Sequence, residues 1–235
     1  MKEKTIWQEV LNRGKWVLIL LAAFVLSQVP IGLAAWLAVK QFPLLQSGLL
    51  VGTLAIVVLA IFIIGARKTK LASFNLSFFK AQDLARLVLS YLVIFATNLF
   101  GSSLLRMMNE TTTSNQSAIN GFVQNSSLIS TFFLLVLIAP ICEEILCRGI
   151  IPKKIFRGKE KLGYLVGAVV FALLHTPTNL PSLLIYGGMS TVLTWTAYRT
   201  ERLEMSILLH MIVNGIAFCL LALLVLISRN LGLPF

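Results

Sequence analysis

Hydrophobic residues in this chain fall into long runs, and short polar connectors between them hold most of the charge. Seven such runs can be read, at 16–39, 47–66, 84–105, 128–151, 162–175, 181–198 and 205–227. At about 1.5 Å per residue, roughly twenty apolar residues cross the ~30 Å hydrocarbon layer of a bilayer. The pattern therefore predicts an all-α fold, a polytopic transmembrane helical bundle of about seven spans. The fifth run is short and Pro177 follows it, so that helix is expected to be broken or to cross only in part. Between the second and third runs, the aromatics and flanking lysines of 71–80 suggest an interfacial helix. Residues 109–127, rich in Asn, Ser and Thr, read as the longest polar loop.

Composition agrees with this pattern. The 235 residues are 57% hydrophobic and only 12% charged, with a mean hydropathy of +0.88. Soluble domains carry about a quarter charged residues, so a soluble enzyme, a disordered chain and a disulfide scaffold are excluded. The three cysteines, Cys142, Cys147 and Cys219, all lie in apolar runs and imply no disulfide framework. The net charge of +11 is not a nucleic-acid signal, because it is distributed by topology. With the N-terminus inside, the inner connectors hold fifteen of the 20 Lys and Arg, and the outer segments hold only Lys40, Arg106 and Arg229. That asymmetry places the N-terminus in the cytoplasm. The basic stretch with Lys2, Lys4, Arg13 and Lys15 resembles the start of a signal peptide. The apolar run continues through Pro30 to Val39 without a small-x-small site, and is read as a retained span.

Ionisable groups inside apolar runs carry the chemical information. Of nine acidic residues, only Glu143 and Glu144 lie within a span, accompanied by Arg148. Each costs about 2.5–3.5 kcal/mol at the bilayer centre, so an unpaired trio would cost on the order of 8–10 kcal/mol. Glu144 and Arg148 are four residues apart with the acid first, the favourable order for a pair on one helix face. Glu143 is rotated by about 100° and is left facing a polar cavity. The two histidines of the chain, His175 and His210, are also set among apolar residues, and His210 shares a helix face with Asn214. Phe171, one turn before His175, reads as a packing wall. Counting residues from the inner edge puts Glu143 roughly 13 Å deep, in a site expected to open to the cytoplasmic side.

A carboxylate and an imidazole sharing a water can deprotonate it for attack on a carbonyl, and neutral His and Asn donors can hold the oxyanion. This describes a metal-independent glutamate hydrolase acting on peptide bonds. No His-Glu-x-x-His zinc helix, serine elbow or intramembrane Asp pair is present. Cys142 and Cys147 read as small packing residues. By ligand type alone, a zinc ion held by Glu143, His175 and His210 stays open.

Glu143-Glu144-x-x-x-Arg148, Phe171-x-x-x-His175 and His210-x-x-x-Asn214, in this order on successive hydrophobic helices, resemble the CAAX protease and bacteriocin-processing family. This family is also called Abi and includes the Ras-converting CAAX endopeptidases. The resemblance covers roughly Leu128 to Leu220, leaving 1–127 as N-terminal helices without a motif in a single membrane domain of 1–235. It implies an intramembrane glutamic endopeptidase of about eight helices, with no metal and no other cofactor. Glu143 and His175 are then the water-activating pair, His210 and Asn214 the oxyanion site, and Glu144 and Arg148 supporting residues. The implied partners are the lipid bilayer and a peptide or protein substrate, such as a bacteriocin or pheromone precursor, at a bacterial plasma membrane. Two other readings are a non-catalytic immunity or scaffold protein that binds a peptide or a sensor kinase, and a proton-coupled transporter using the two glutamates.

Overall fold

A computed structural model describes residues 6–75 and 79–231. Among these residues the secondary structure is entirely helical. Eight helices follow one another: α1 (Ile6–Val39), α2 (Leu44–Lys68), α3 (Ala81–Met107), α4 (Ser114–Asn125), α5 (Leu128–Ile155), α6 (Glu160–Leu174), α7 (Leu180–Thr200) and α8 (Leu203–Leu231). Five of them (α1, α2, α3, α5 and α8) are long and apolar enough to cross a membrane. They turn residues such as Leu18, Leu50, Leu89 and Leu223 outward, as a lipid-facing surface requires. α6 has 15 residues, about 22 Å of helix, and falls short of the hydrocarbon thickness.

Two connectors depart from the sequence expectation. Within 109–127 the chain forms α4, capped by the Thr113 side chain, which accepts from the Gln116 amide. Its buried contribution is Val123 alone, so no apolar periodicity announced it. For the interfacial helix expected at 71–80, Leu71–Asn75 and Phe79–Lys80 are not helical, and 76–78 lie outside the described residues. Buried polar contacts hold 71–75 instead. Glu204 Oε1 accepts from the Ser73 amide and hydroxyl and from the Phe74 amide, at 2.7, 2.9 and 3.0 Å. Beside it, Asp83 takes two bonds from Arg202 at 2.7 and 2.8 Å, and this keeps the guanidinium above its ordinary pKa. The start of α3 is thereby fastened to the α7–α8 corner.

α5 is the central helix, and it is not α-helical throughout. Two π-helical stretches, Phe133–Ile138 and Ile145–Ile155, flank the α-helical Ala139–Glu144. Each contains or precedes a proline, Pro152 and Pro140 respectively, which cannot donate to the preceding turn. π turns of this kind are often found at functional sites. α5 packs on α6 at close range, because a Cβ built on Gly167 would collide with the Cys147 carbonyl. The approach of α3 to α7 is similarly tight at Gly101, which lies against Ile185.

Gly167→Val is expected to push α6 off α5 at a cost of roughly 1–3 kcal/mol or more, as overpacking does. Gly65→Ala, where an added Cβ meets nothing within 4 Å, is expected to be neutral. Thermal unfolding of both variants in detergent checks the pair, and equal melting temperatures would contradict the close contact.

Candidate active site

The interior of α5 divides its charged residues between two environments. Glu144 and Arg148 have no exposed side-chain surface, and their Oε1–Nη1 distance is 2.9 Å. Arg148 places its other donors on α7: Nη2 reaches the Ser190 carbonyl and hydroxyl at 3.0 and 2.7 Å, and Nε reaches Thr194 at 3.1 Å. Ser190 in turn donates to the Ala168 carbonyl of α6 at 2.8 Å. The guanidinium carbon lies 4.3 Å above the ring of Phe171. A buried ion pair is tolerable only when its remaining donors are satisfied in this way. The expected Glu144–Arg148 pairing is present, and the network extends it over three helices.

Glu143 faces away from that cluster. It borders a cavity of about 440 Å³, whose wall it shares with His175 and Asn214. Its Oε2 makes no hydrogen bond among the described residues and stands 4.0 Å from His210 Nε2.

His175 owes its position to the way α6 ends. The last turn tightens, with the amides of His175 and Thr176 bonding to the carbonyls of Ala172 and Leu173. Thr176 then takes a positive φ of 47° before Pro177. The Phe171 carbonyl thus loses its normal amide donor, and His175 Nδ1 bonds to it at 2.8 Å. Nδ1 must therefore carry a proton, which leaves Nε2 as an acceptor. The ring is sandwiched between Phe171 and Tyr186, each with its centroid 4.6 Å away. The Tyr186 hydroxyl meets Thr113 at 2.6 Å and ties this stack to the start of α4.

His210 is fully buried and stands between the two glutamates, with Nδ1 3.0 Å from Glu144 Oε1. It is not among the residues that line the cavity, whereas Asn214 is. Asn214 also bonds to α5, donating from Nδ2 to the Leu135 carbonyl at 2.9 Å. The reason lies in the π register. Leu134 accepts from the Ala139 amide, so the next carbonyl, Leu135, needs a proton from residue 140, which is a proline. The Asn214 carboxamide fills that place and keeps its second N–H.

Of the six residues singled out in the sequence, Glu143, His175 and Asn214 line one cavity, and Glu144, Arg148 and His210 form the buried cluster next to it. Tyr186, Ser190 and Thr194 were missed. Together with Ser182 they form a polar ridge at four-residue spacing on α7, a pattern visible in the sequence. The cavity runs from Glu143 towards α4, away from the α5 end that carries Lys153 and Lys154. The Glu144–Arg148–Ser190 cluster fills the interior on the other side. Among the described residues, no three His, Cys, Asp or Glu side chains form a group that could hold a metal ion.

Residues 125–216, which contain every one of these side chains except Thr113, match the family model described as type II CAAX prenyl endopeptidase Rce1-like. Through this segment the chain is similar to the Rce1-like family. Three curated relatives are UPF0177 proteins of Lactococcus lactis. YvdC, of subsp. lactis strain IL1403, is 32% identical over 55% of this chain and 49% of its own length. YaiH of the same strain is 29% identical over 60% and 59%. The protein of the abiGi 5' region, from subsp. cremoris, is 30% identical over 66% and 65%. The chain therefore spans about half to two thirds of the length of these relatives. No solved structure matches it. Two walls of the cavity, α1 and α4, lie outside the Rce1-like segment.

Removing one member of the buried pair strands the other. Arg148→Met is expected to destabilise the protein by about 3–5 kcal/mol, and Glu144→Met with Arg148→Met to recover much of that loss. A double-mutant cycle on detergent-solubilised protein, read by chemical or thermal unfolding, checks the coupling. Strict additivity would remove it.

Proposed function

We propose that this membrane protein is an intramembrane endopeptidase of the glutamic, metal-independent kind. Glu143 and His175 activate a water between them. Glu143 takes the proton, and the hydroxide adds to the carbonyl carbon of a peptide bond. The proton then passes to the departing amine. The second N–H of Asn214 serves the developing oxyanion, together with His210. Glu144 and Arg148 hold His210 and the turn of α5 that presents Glu143. The observation that carries this reading is that Glu143 and His175, from separate helices, border one cavity, with His175 fixed in the tautomer that leaves Nε2 as an acceptor. The match of residues 125–216 to the Rce1-like family model supports it.

The substrate on this reading is a peptide precursor, such as a bacteriocin or pheromone, or a membrane-associated protein. The protein resides in a bacterial plasma membrane with its N-terminus in the cytoplasm, as its basic connectors favour. In that orientation α4 lies at the outer end of the bundle, so the cavity extends from mid-membrane towards the outer leaflet.

Glu143→Gln is expected to abolish cleavage while the protein still inserts and accumulates. Comparing peptides released by cells carrying the wild type or the variant gives the test. Peptides unique to the wild type, produced with or without a chelator, are the expected result. An unchanged peptide set would remove Glu143 as the base and favour a non-catalytic binding protein. Loss of the peptides with chelator would point to a metal enzyme.

A further inference from the structure

The first turns of α1 present a polar face to the end of α5. Glu9, Asn12, Arg13 and Trp16 follow the i, i+3, i+4, i+7 spacing of one helix side. The first three border a hollow of about 460 Å³, with Lys154 and Arg157 across from them. Lys154 Nζ donates to the Thr69 carbonyl at the end of α2, at 2.6 Å, and lies 5.3 Å from the centroid of the Trp16 ring. Arg13 pairs with Glu9 at 2.6 Å and donates to the Arg157 carbonyl at 3.2 Å. Glu160, also at the hollow, turns one oxygen to the Gly158 amide at 2.9 Å. The Arg157 and Lys70 side chains are exposed and make no hydrogen bond or ion pair among the described residues. Theirs are the charges that bear on Lys154, and both are positive. Arg13, Lys70, Lys154 and Arg157 thus outweigh Glu9 and Glu160 at one junction of three helices. Membrane topology needs such charges on one side of the bilayer, but not gathered at one point.

Trp16 opens the apolar run of α1, and tryptophan at the end of a span marks the level of the lipid headgroups. Arg13, three residues earlier, stands about 4.5 Å further out, so the hollow lies among those headgroups. Val17 and Leu21, both exposed just beyond Trp16, continue it as an apolar strip along the membrane. We propose that this hollow, between the start of α1 and the ends of α2 and α5, binds an anionic phospholipid of the leaflet on the N-terminal side. The phosphate sits against Arg157, whose planar fork matches its oxygens, and Lys70 and Lys154 add point charges. The Asn12 carboxamide serves the hydroxyls of the headgroup, and the acyl chains follow Val17 and Leu21. A zwitterionic headgroup brings its own ammonium into a site that is already positive, and is disfavoured. This inference does not rest on the hydrolase reading.

The full chain in detergent can be equilibrated with equal amounts of phosphatidylglycerol and phosphatidylcholine carrying the same acyl chains. Native mass spectrometry then counts the lipids retained. The wild type is expected to prefer phosphatidylglycerol by at least about tenfold. Arg157→Gln is expected to lower that preference about fivefold, the effect of one basic residue at a charged lipid surface. Lys70→Gln together with Arg157→Gln is expected to bring it close to even. Both side chains are exposed and unbonded, so the variants are expected to melt with the wild type in lipid-free detergent. Lys15→Gln with Lys161→Gln removes the same charge from exposed positions that do not border the hollow, and is expected to leave the preference intact. An equal loss in that control, no preference in the wild type, or an unchanged preference in the Lys70 and Arg157 double variant would each overturn the site. Glycerol 3-phosphate, which has the phosphate without acyl chains, is expected not to displace the lipid. Displacement at comparable concentration would assign the hollow to a soluble phosphate and overturn the lipid.

Discussion

Glu144 and Arg148, one turn apart and both without exposed surface, are the fixed point around which the bundle is organised. Neither charge could remain in a lipid-filled interior alone, and the pair alone would leave most of the guanidinium donors empty. The surrounding helices supply the missing partners. α7 offers Ser190 and Thr194, α6 offers the Phe171 ring and α8 offers His210. Desolvating two charges therefore demands a particular arrangement of four helices. Apolar packing alone would not demand it, because lipid tails compete equally for leucine.

The same arrangement sets the geometry of the open side. Phe171 lies under the guanidinium and touches both imidazoles, with its centroid 4.6 Å from His175 and 5.6 Å from His210. The sequence reading of Phe171 as a wall is correct, though the wall is shared by three charged or titratable groups. His175 gains its tautomer from the carbonyl that the end of α6 leaves unpaired. Asn214 gains its orientation from the carbonyl that Pro140 leaves unpaired. Both side chains are thus aimed by defects in the backbone hydrogen-bond ladder, which a low-dielectric interior obliges some donor to repair.

Much of this was legible in the letters, because charge is rare in a chain this apolar. Two glutamates, an arginine and two histidines stand out against runs of leucine, and the four-residue spacings pair Glu144 with Arg148 and His210 with Asn214. Helix positions were legible for the same reason, and seven runs became seven helices with ends shifted by a few residues at most sites. The start of α1 and the polar helix α4 are the exceptions. α4 was hidden because it buries one residue and is built from Asn, Ser and Gln, which sequence reasoning assigns to loops. Ser190, Thr194 and Tyr186 were hidden because a hydroxyl in a membrane helix is cheap and can bond to its own backbone. The π turns of α5 have no signal beyond two prolines.

Glu143 and Glu144 are neighbours in sequence with identical side chains, and the fold assigns them to opposite environments. A rotation of about 100° per residue is enough to separate them: one is enclosed by donors from α5 and α8, while the other borders an open cavity. The enclosed carboxylate is bonded to Arg148 and His210. Each glutamate has an Oε2 without a hydrogen bond among the described residues, and that of Glu143 stands beside the histidine that Glu144 holds in place. A single acid could not serve both ends, because a carboxylate held by Arg148 and His210 does not reach the cavity wall, and one that borders the cavity does not anchor four helices. The doubled glutamate thus separates the work of holding the bundle from the work that the cavity allows, and the shared imidazole of His210 keeps the two in register.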